Sequence, residues 1–301
     1  MKIALIGSEG YLGRALYRKL VIRHDVYRHD IFVYNQRDFV EGDPILAEET
    51  AFKIARWIDD FEIDVVIWLA AYAHDPERFI TYPEMVMNNA YLPRAVYERT
   101  TCRFIFLSSL SVYSTSPYAL SKRQLEQIFT KEDAPRRARF LRFGTLYGVD
   151  GLMQDPESFR SHLVLNSMCY DALVEGKIFV RGANLHRPVL PVHTAASLVA
   201  KTACEPGPAG TIHNHYQTCG TLGQFAKVVQ GVAKDLDHPC TIHETDMTDT
   251  RDYGWGSFDP DCLRPQLFLT MRWLEKNQAS VAKYRAEFPQ NLYDFVEKRR
   301  R

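Results

Sequence analysis

The stretch KIALIGSEGYLGRALYRKLV, beginning at Lys2, restricts the possible folds of this chain more than any other. A short apolar run, Ile3 to Ile6, stops at a glycine. A few residues later Leu12, Leu16 and Leu20 fall along one helical stripe. That pattern predicts a buried strand turning directly into a helix, with Gly7, Gly10 and Gly13 in and around the turn. At such a junction the first backbone N–H groups of the helix and its positive dipole end converge on one spot. A pyrophosphate fits there, because glycine lets the backbone come close to it. Three spaced glycines also suit a bare turn, so the choice depends on the rest of the chain.

The same alternation continues. DIFVY (30–34) reads as a second strand, AFKIARWIDDF as a helix, DVVIWLAA as a strand, PRAVYERT as a helix and RFIFLSS as a strand. Strands separated by helices predict an α/β fold, a doubly wound parallel sheet of Rossmann type. Ligands of such sheets bind beyond the carboxyl ends of the strands. GSEGYLG, NQR, LAAYAH and SSLSVY all fall there, and this context favours the phosphate cradle over the bare turn. Residues 1–150 are expected to form the dinucleotide-binding domain, with later segments returning to it. After about Asp150 the chain changes character: GVDGLMQDPESFR is loop-like and SHLVLNSMCYDALVEG helical. Residues 151–301 are expected to form mainly a smaller, interleaved substrate lobe, ending in an amphipathic helix at QLFLTMRWLEKNQASVAKYRAEF.

Composition narrows the partners. Lys plus Arg (37) equals Asp plus Glu (37), so there is no surplus of positive charge to suit a nucleic-acid binder. The six cysteines are scattered without a Cys-x-x-Cys pair, as expected of a reduced, cytoplasmic protein. The histidines are dispersed too; His213 and His215 would share a strand face, but two ligands make no metal site. KIALI is too short for the apolar part of a signal peptide, and no run approaches a membrane span.

Several motifs in order resemble the extended short-chain dehydrogenase/reductase family, particularly its nucleotide-sugar epimerases, dehydratases and reductases, over nearly the whole chain. GSEGYLG is similar to the family's Gly-x-x-Gly-x-x-Gly loop. DVVIWLAA resembles its fourth strand, NNAYLP its Asn-bearing helix start, FLSSLSVY the strand with the catalytic Ser or Thr, and YALSK the Tyr-x-x-x-Lys pair. LRFGTLYG resembles the segment flanking the nicotinamide. HLVLNSM, ALVEGKIFVRG and HRPVLPVHTAA resemble the nucleotide-sugar segment, and TIHNHYQTCGTLGQFAKVV the return strand and its helix. The resemblance implies NAD or NADP as cofactor, held by Gly7, Gly10, Tyr11, Leu12, Gly13, Asn35, Arg37, Leu69, Ala70, Ala71, Asn89, Tyr118 and Lys122. It implies Ser109, Tyr118 and Lys122 as catalytic residues. It also implies a UDP-, GDP- or dTDP-linked sugar met by Ser109 and Ser111, and a homodimer. Asn166 is a candidate for the diphosphate or a sugar hydroxyl, and Arg160 and Arg187, whose planar guanidinium groups can contact phosphate oxygens, are candidates for the diphosphate.

The residue types suit that chemistry. A tyrosine hydroxyl with a pKa near ~10 is a poor base at neutral pH. Lys122 lies one helical turn beyond Tyr118, where its charge favours the phenolate. Tyr118 can then take the proton of a sugar hydroxyl as hydride leaves the same carbon, while Ser109 hydrogen-bonds the oxygen. Three positions depart from the family's pattern. Asn35 stands where NAD-using members place an Asp at the end of the second strand, and the nearby Arg37 suits a 2′-phosphate or stacking on adenine, so both cofactors stay open. The link from Ser109 to Tyr118 is short, and Thr194 replaces a common Asp. Leu110 and Ser111 occupy the positions where the family's 4,6-dehydratases carry Asp-Glu. An epimerase acting at a sugar carbon, C4 by expectation, is therefore favoured. A 4-keto-6-deoxy-sugar reductase using NADPH is the alternative, and a non-catalytic dinucleotide sensor a third.

Overall fold

A computed structural model describes residues 1–29, 44–71, 82–129, 137–150, 156, 159–205, 207, 210–245 and 256–287. The described residues divide into two compact units: those up to Gly144 together with His193–His215, and those of Thr145–Val192 together with those from Tyr216 onward.

The first unit is a parallel sheet of six strands. Numbered in chain order, they are β1 (Lys2–Ile6), β2 (Asp25–His29), β3 (Val65–Trp68), β4 (Arg103–Ser109), β5 (Ala138–Phe143) and β9 (Thr211–His215). Their spatial order is β2-β1-β3-β4-β5-β9. Ile3 to Ile6 and all four residues of β3 are buried, as expected of strands covered by helices on both faces. Around them run α1 (Tyr11–Leu20), α2 (Pro44–Asp60), α3 (Tyr82–Val86), α4 (Leu92–Arg99), α5 (Pro117–Phe129) and α7 (Val192–Cys204). α2 turns Ala47, Ala51, Ile54 and Ile58 into the core, a three-to-four-residue spacing that gives it one apolar stripe. At the centre Phe104, Phe106 and Phe140 stack at ring separations of 5.3 and 5.4 Å, with Tyr97 edge-on to Phe104.

Register decides which residues share the ligand-facing edge. Ile6 pairs with Trp68, Trp68 with Phe106, and Ser109 with Phe143. β1 and β3 thus end level with each other, while β4 and β5 continue together beyond Phe106 to Ser109 and Phe143, so Gly7 and Leu69 leave the sheet at one level and Ser109 further along the same carboxyl edge.

The second unit contains a three-stranded sheet of β10 (Thr218–Thr221), β8 (His186–Pro191) and β6 (Thr145–Tyr147), and a parallel pair of β7 (Lys177–Arg181) and β11 (Thr241–Thr245). α6 (Val164–Val174), α8 (Leu222–Asp235) and α9 (Arg264–Glu287) pack with them. A reciprocal capping box between Thr221 and Gln224 starts α8.

Three segments hold more elements than the sequence reading names. The strand beside β1 is β2 at residues 25–29, upstream of the apolar run 30–34, which lies outside the described residues. β2 is the edge strand of the described sheet and is only partly buried, so its sequence, DVYRH, need not be continuously apolar. LRFGTLYG splits at Gly144 into β5 and β6, which belong to different sheets. TIHNHYQTCGT likewise divides into β9, which returns to the parallel sheet, and β10, which pairs antiparallel with β8.

Candidate active site

The three glycines have different physical reasons. Gly7 has φ +89°, and a Cβ there would sit 2.7 Å from Ala70 N, so both backbone conformation and packing require glycine. A Cβ on Gly13 would lie 2.4 Å from Gly7 O, which requires glycine for the close approach of α1 to its own loop. Gly10 differs: a Cβ there would meet only Gly7 O, at 3.4 Å. The protein itself makes no demand for glycine at position 10, and the open space lies at the start of α1. Arg14 N is bonded back to Gly10 O, so the amides of Tyr11, Leu12 and Gly13 precede the first intrahelical bond. The residues present therefore fit a bound pyrophosphate.

Neighbouring strands fix the loop. Gly7 N donates to His29 O (2.8 Å), and Leu69 N and Ala70 N both donate to Ile6 O (2.8 and 2.9 Å). Ala71, next along, is half-buried. Glu9, the carboxylate of the loop, is paired with Arg28 of β2 and lies 3.4 Å from Arg14. Asn35 and Arg37 lie outside the described residues.

Ser109 closes β4, and a single 3₁₀ turn, Leu110–Tyr113, follows. Both Ser111 N (3.1 Å) and the Ser111 hydroxyl (2.8 Å) donate to Ser109 Oγ. A hydroxyl has two acceptor sites and one donor. With both acceptor sites used, Ser109 can only donate to a further partner. The short link to Tyr118 is held by Arg123, whose guanidinium donates to Val112 O and Ser114 O, and by Ser116, whose Oγ caps α5 through Ala119 N (3.2 Å).

Tyr118 lies in the first turn of α5. It keeps partial exposure, but packing around its phenol pushes the pKa up to about 12. Lys122 is buried at 2% exposure, its Nζ 5.9 Å from the centre of the Tyr118 ring and donating to Leu107 O at 2.8 Å. Burial lowers its pKa to about 8, against the pull of Glu126 one turn further on. Glu126 is also buried, accepting from Ser108 Oγ (2.5 Å) and from both Nε and Nη2 of Arg142, while Arg142 Nη1 donates to Tyr113 Oη (2.7 Å). Lys122 and Glu126 thereby fasten α5 to residues 107 and 108, immediately before Ser109. Asn89 sits in a π-turn, Met87–Tyr91, at 1% exposure; it donates to Ser121 Oγ (3.0 Å), which donates to Tyr118 O (2.8 Å). Such π-turns inside helices are frequent at functional sites.

Glu126, Arg142 and Arg123 are site residues that the sequence motifs do not mark. The spacing Tyr118, Lys122, Glu126 along one helical face was the signal that could have found the first. In the second unit Asn166 is fully buried, its Oδ1 accepting from Gly148 N (2.7 Å) and its Nδ2 donating to Arg160 O (3.1 Å). Arg187 Nη1 donates to His186 O (3.0 Å).

The lowered pKa of Lys122 has a stability consequence. Between pH about 8 and its ordinary 10.5 the unfolded chain holds a proton here that the folded chain has released, so this group makes stability rise with pH across that window. Integrated, the gain is on the order of 3 kcal/mol. Urea unfolding at pH 7.5 and pH 10.5 is expected to show that gain in the wild type relative to Lys122→Met. Equal pH dependence in the two proteins would contradict it.

Known proteins resemble this chain over most of its length. The chain belongs to the NAD dependent epimerase/dehydratase family, whose model matches residues 3–187. The UDP-glucose 4-epimerase of Lactobacillus helveticus is 25% identical over 213 residues, 60% of this chain and 63% of that protein. The crystal structure of dTDP-glucose 4,6-dehydratase from Bacillus anthracis in complex with NAD aligns with a TM-score of 0.71 at 16% identity, covering 94% of this chain and 99% of that one. The Thermotoga maritima UDP-glucose 4-epimerase with UDP-glucose gives 0.68 at 18% identity, covering 92% and 100%. Among the described residues no helix is long and apolar enough to cross a membrane.

Proposed function

We propose that the chain is an NAD-dependent nucleotide-sugar epimerase that oxidises and re-reduces a sugar carbon, C4, with Ser109, Tyr118 and Lys122 as its working residues. The observation that carries this reading is the state of Ser109, whose two acceptor positions are occupied by Ser111 and whose own proton is thereby left for a substrate oxygen. NAD, when bound, accepts the hydride from the carbon and returns it.

Tyr118 takes the hydroxyl proton as the carbon–hydrogen bond breaks, and gives it back when hydride is returned to the opposite face of the ketone. Lys122 favours the phenolate by its charge, offsetting the burial that otherwise holds the phenol at about 12. Ser109 donates to the oxygen throughout, which suits an oxygen alternating between alcohol and ketone. Leu110 carries no transferable proton, and Ser111 spends both its N–H and its hydroxyl on Ser109. Neither supplies the acid–base pair that water elimination requires, which sets the reading apart from a dehydratase. Arg160 and Arg187 are assigned to the diphosphate of the substrate, and Asn166 to holding the backbone of Arg160 and Gly148.

NAD is favoured over NADP by charge. Glu9 lies in the glycine loop and occupies Arg28 of β2, and a carboxylate there opposes a 2′-phosphate. The reductase alternative rests on Arg37 and uses the same three catalytic residues. Incubation with UDP-, GDP- and dTDP-hexoses without added cofactor, read by NMR, decides between them. Interconversion of C4 epimers is expected. Stoichiometric NADPH oxidation with a 4-keto-6-deoxy sugar, and no cofactor-free interconversion, would establish the reductase instead.

A further inference from the structure

At the amino ends of β4 and β5, away from the glycine loop, three arginines line one cleft of about 110 Å³ with Val65, Thr202 and Gly207. Arg103 opens β4, Arg137 immediately precedes β5, and Arg139 is its second residue. None of the three forms an ion pair among the described residues. Their partners are uncharged: Arg103 donates to Ala203 O (3.4 Å) and to Met1 Sδ (3.8 Å), Arg139 to Thr202 O (3.3 Å), and Arg137 to Cys102 O (2.9 Å) and Tyr97 O (3.2 Å), with its guanidinium 4.5 Å from the centre of the Tyr97 ring.

Those carbonyls lie at or near the C-terminal ends of α4 and α7, each of which carries about half a negative charge. About one negative charge in total thus faces three cations, leaving a surplus of about two. Arg139 is held below its ordinary pKa first by burial and then by the like charge of Arg103. Glu205 acts on it through space but is exposed and pairs with Lys201 instead. Each guanidinium carries five N–H donors, more than these bonds use. Arg139 also lies so close to Gly207 that a Cβ there would be 2.5 Å from its Nη2, so the backbone leaves this guanidinium room that no larger residue would.

We infer that this cleft binds a phosphate dianion, either the free ion or the terminal group of a phosphomonoester. Two surplus positive charges match a dianion, and fork-shaped donors match its oxygens. The volume equals that of a few water molecules, at about 30 Å³ each, and is well below the several hundred Å³ of pockets that hold whole drug-sized ligands. Arg103 and Ser109 stand at opposite ends of β4, about 20 Å apart, so the site does not depend on the function proposed above.

Calorimetric titration of the NAD-saturated protein with inorganic phosphate, at ionic strength fixed with chloride, tests the inference; NAD keeps the glycine loop occupied. Saturable binding is expected, weakened about tenfold or more in Arg103→Gln and in Arg139→Gln and unchanged in the surface control Arg272→Gln. Glutamine keeps an N–H for the carbonyl each arginine serves, and melting curves in chloride verify that both variants fold. Phosphate is also expected to raise the melting temperature of the wild type above that in chloride. A parallel titration with glycerol 3-phosphate identifies the source: binding of inorganic phosphate alone restricts the ligand to the free ion. No saturable binding up to about 10 mM phosphate, or equal affinity in wild type and both variants, would overturn the inference and leave the arginines serving only the helix ends.

Discussion

Tyr118→Phe is expected to lower turnover by at least about two orders of magnitude while the protein folds and binds NAD as the wild type does. The ring is retained, so the start of α5 and the contact with Lys122, 5.9 Å from the ring centre, stay in place. What disappears is the one group at this position able to take a proton from a sugar hydroxyl. Burial holds the phenol at about 12, so at neutral pH it is uncharged in the folded and unfolded chains alike, and its titration contributes no stability there for the substitution to remove. Turnover on the active nucleotide sugar, measured alongside bound NAD and the melting temperature, separates a lost acid–base group from a damaged fold. Near-wild-type turnover would remove Tyr118 from the reaction. Lys122→Met is expected to fail comparably in turnover, with weaker cofactor binding in addition.

Gly10→Val should weaken NAD binding by about 100-fold or more, the scale set by losing one or two hydrogen bonds to a charged pyrophosphate. The fold has no objection to the substitution. Gly10 has φ −69° and ψ 168°, extended backbone that any residue adopts, and its Cβ would meet only Gly7 O at 3.4 Å. The branched side chain instead fills the space at the head of α1. Gly13→Ala is the contrasting variant: its Cβ would fall 2.4 Å from Gly7 O, so it should lose stability by about 1–3 kcal/mol as helix and loop are forced apart. Titration calorimetry with NAD and thermal melts of both proteins read the two effects independently. Unchanged affinity in Gly10→Val would reduce the loop to a turn.

The linear chain carried a good part of this by itself. An apolar pentapeptide running into glycine, followed by a leucine stripe, can do little but turn a buried strand into a helix, and β1 and α1 are where that pattern puts them. The Tyr118–Lys122 spacing likewise fixes a shared helical face whatever surrounds it, because 3.6 residues per turn is a property of the backbone. Other features depended on partners distant in sequence. β2 lies at the sheet edge, where burial is partial, so its DVYRH gave a weaker apolar signal than the run that follows it. The splits at Gly144 and Tyr216 are decided by which strand each segment pairs with, and local propensity is the same on both sides of such a break. The three glycines look alike in the sequence. Only the packing of Ala70 against Gly7, and of Gly7 O against Gly13, shows that two of them serve the fold and that the fold makes no such demand at Gly10. The Glu126–Arg142–Ser108 network and the cleft of three arginines belong to the same class: pairing and unpaired charge are set by side chains that meet only after β4, β5, α5 and α7 have packed, since electrostatic energy depends on distance and burial rather than on order along the chain.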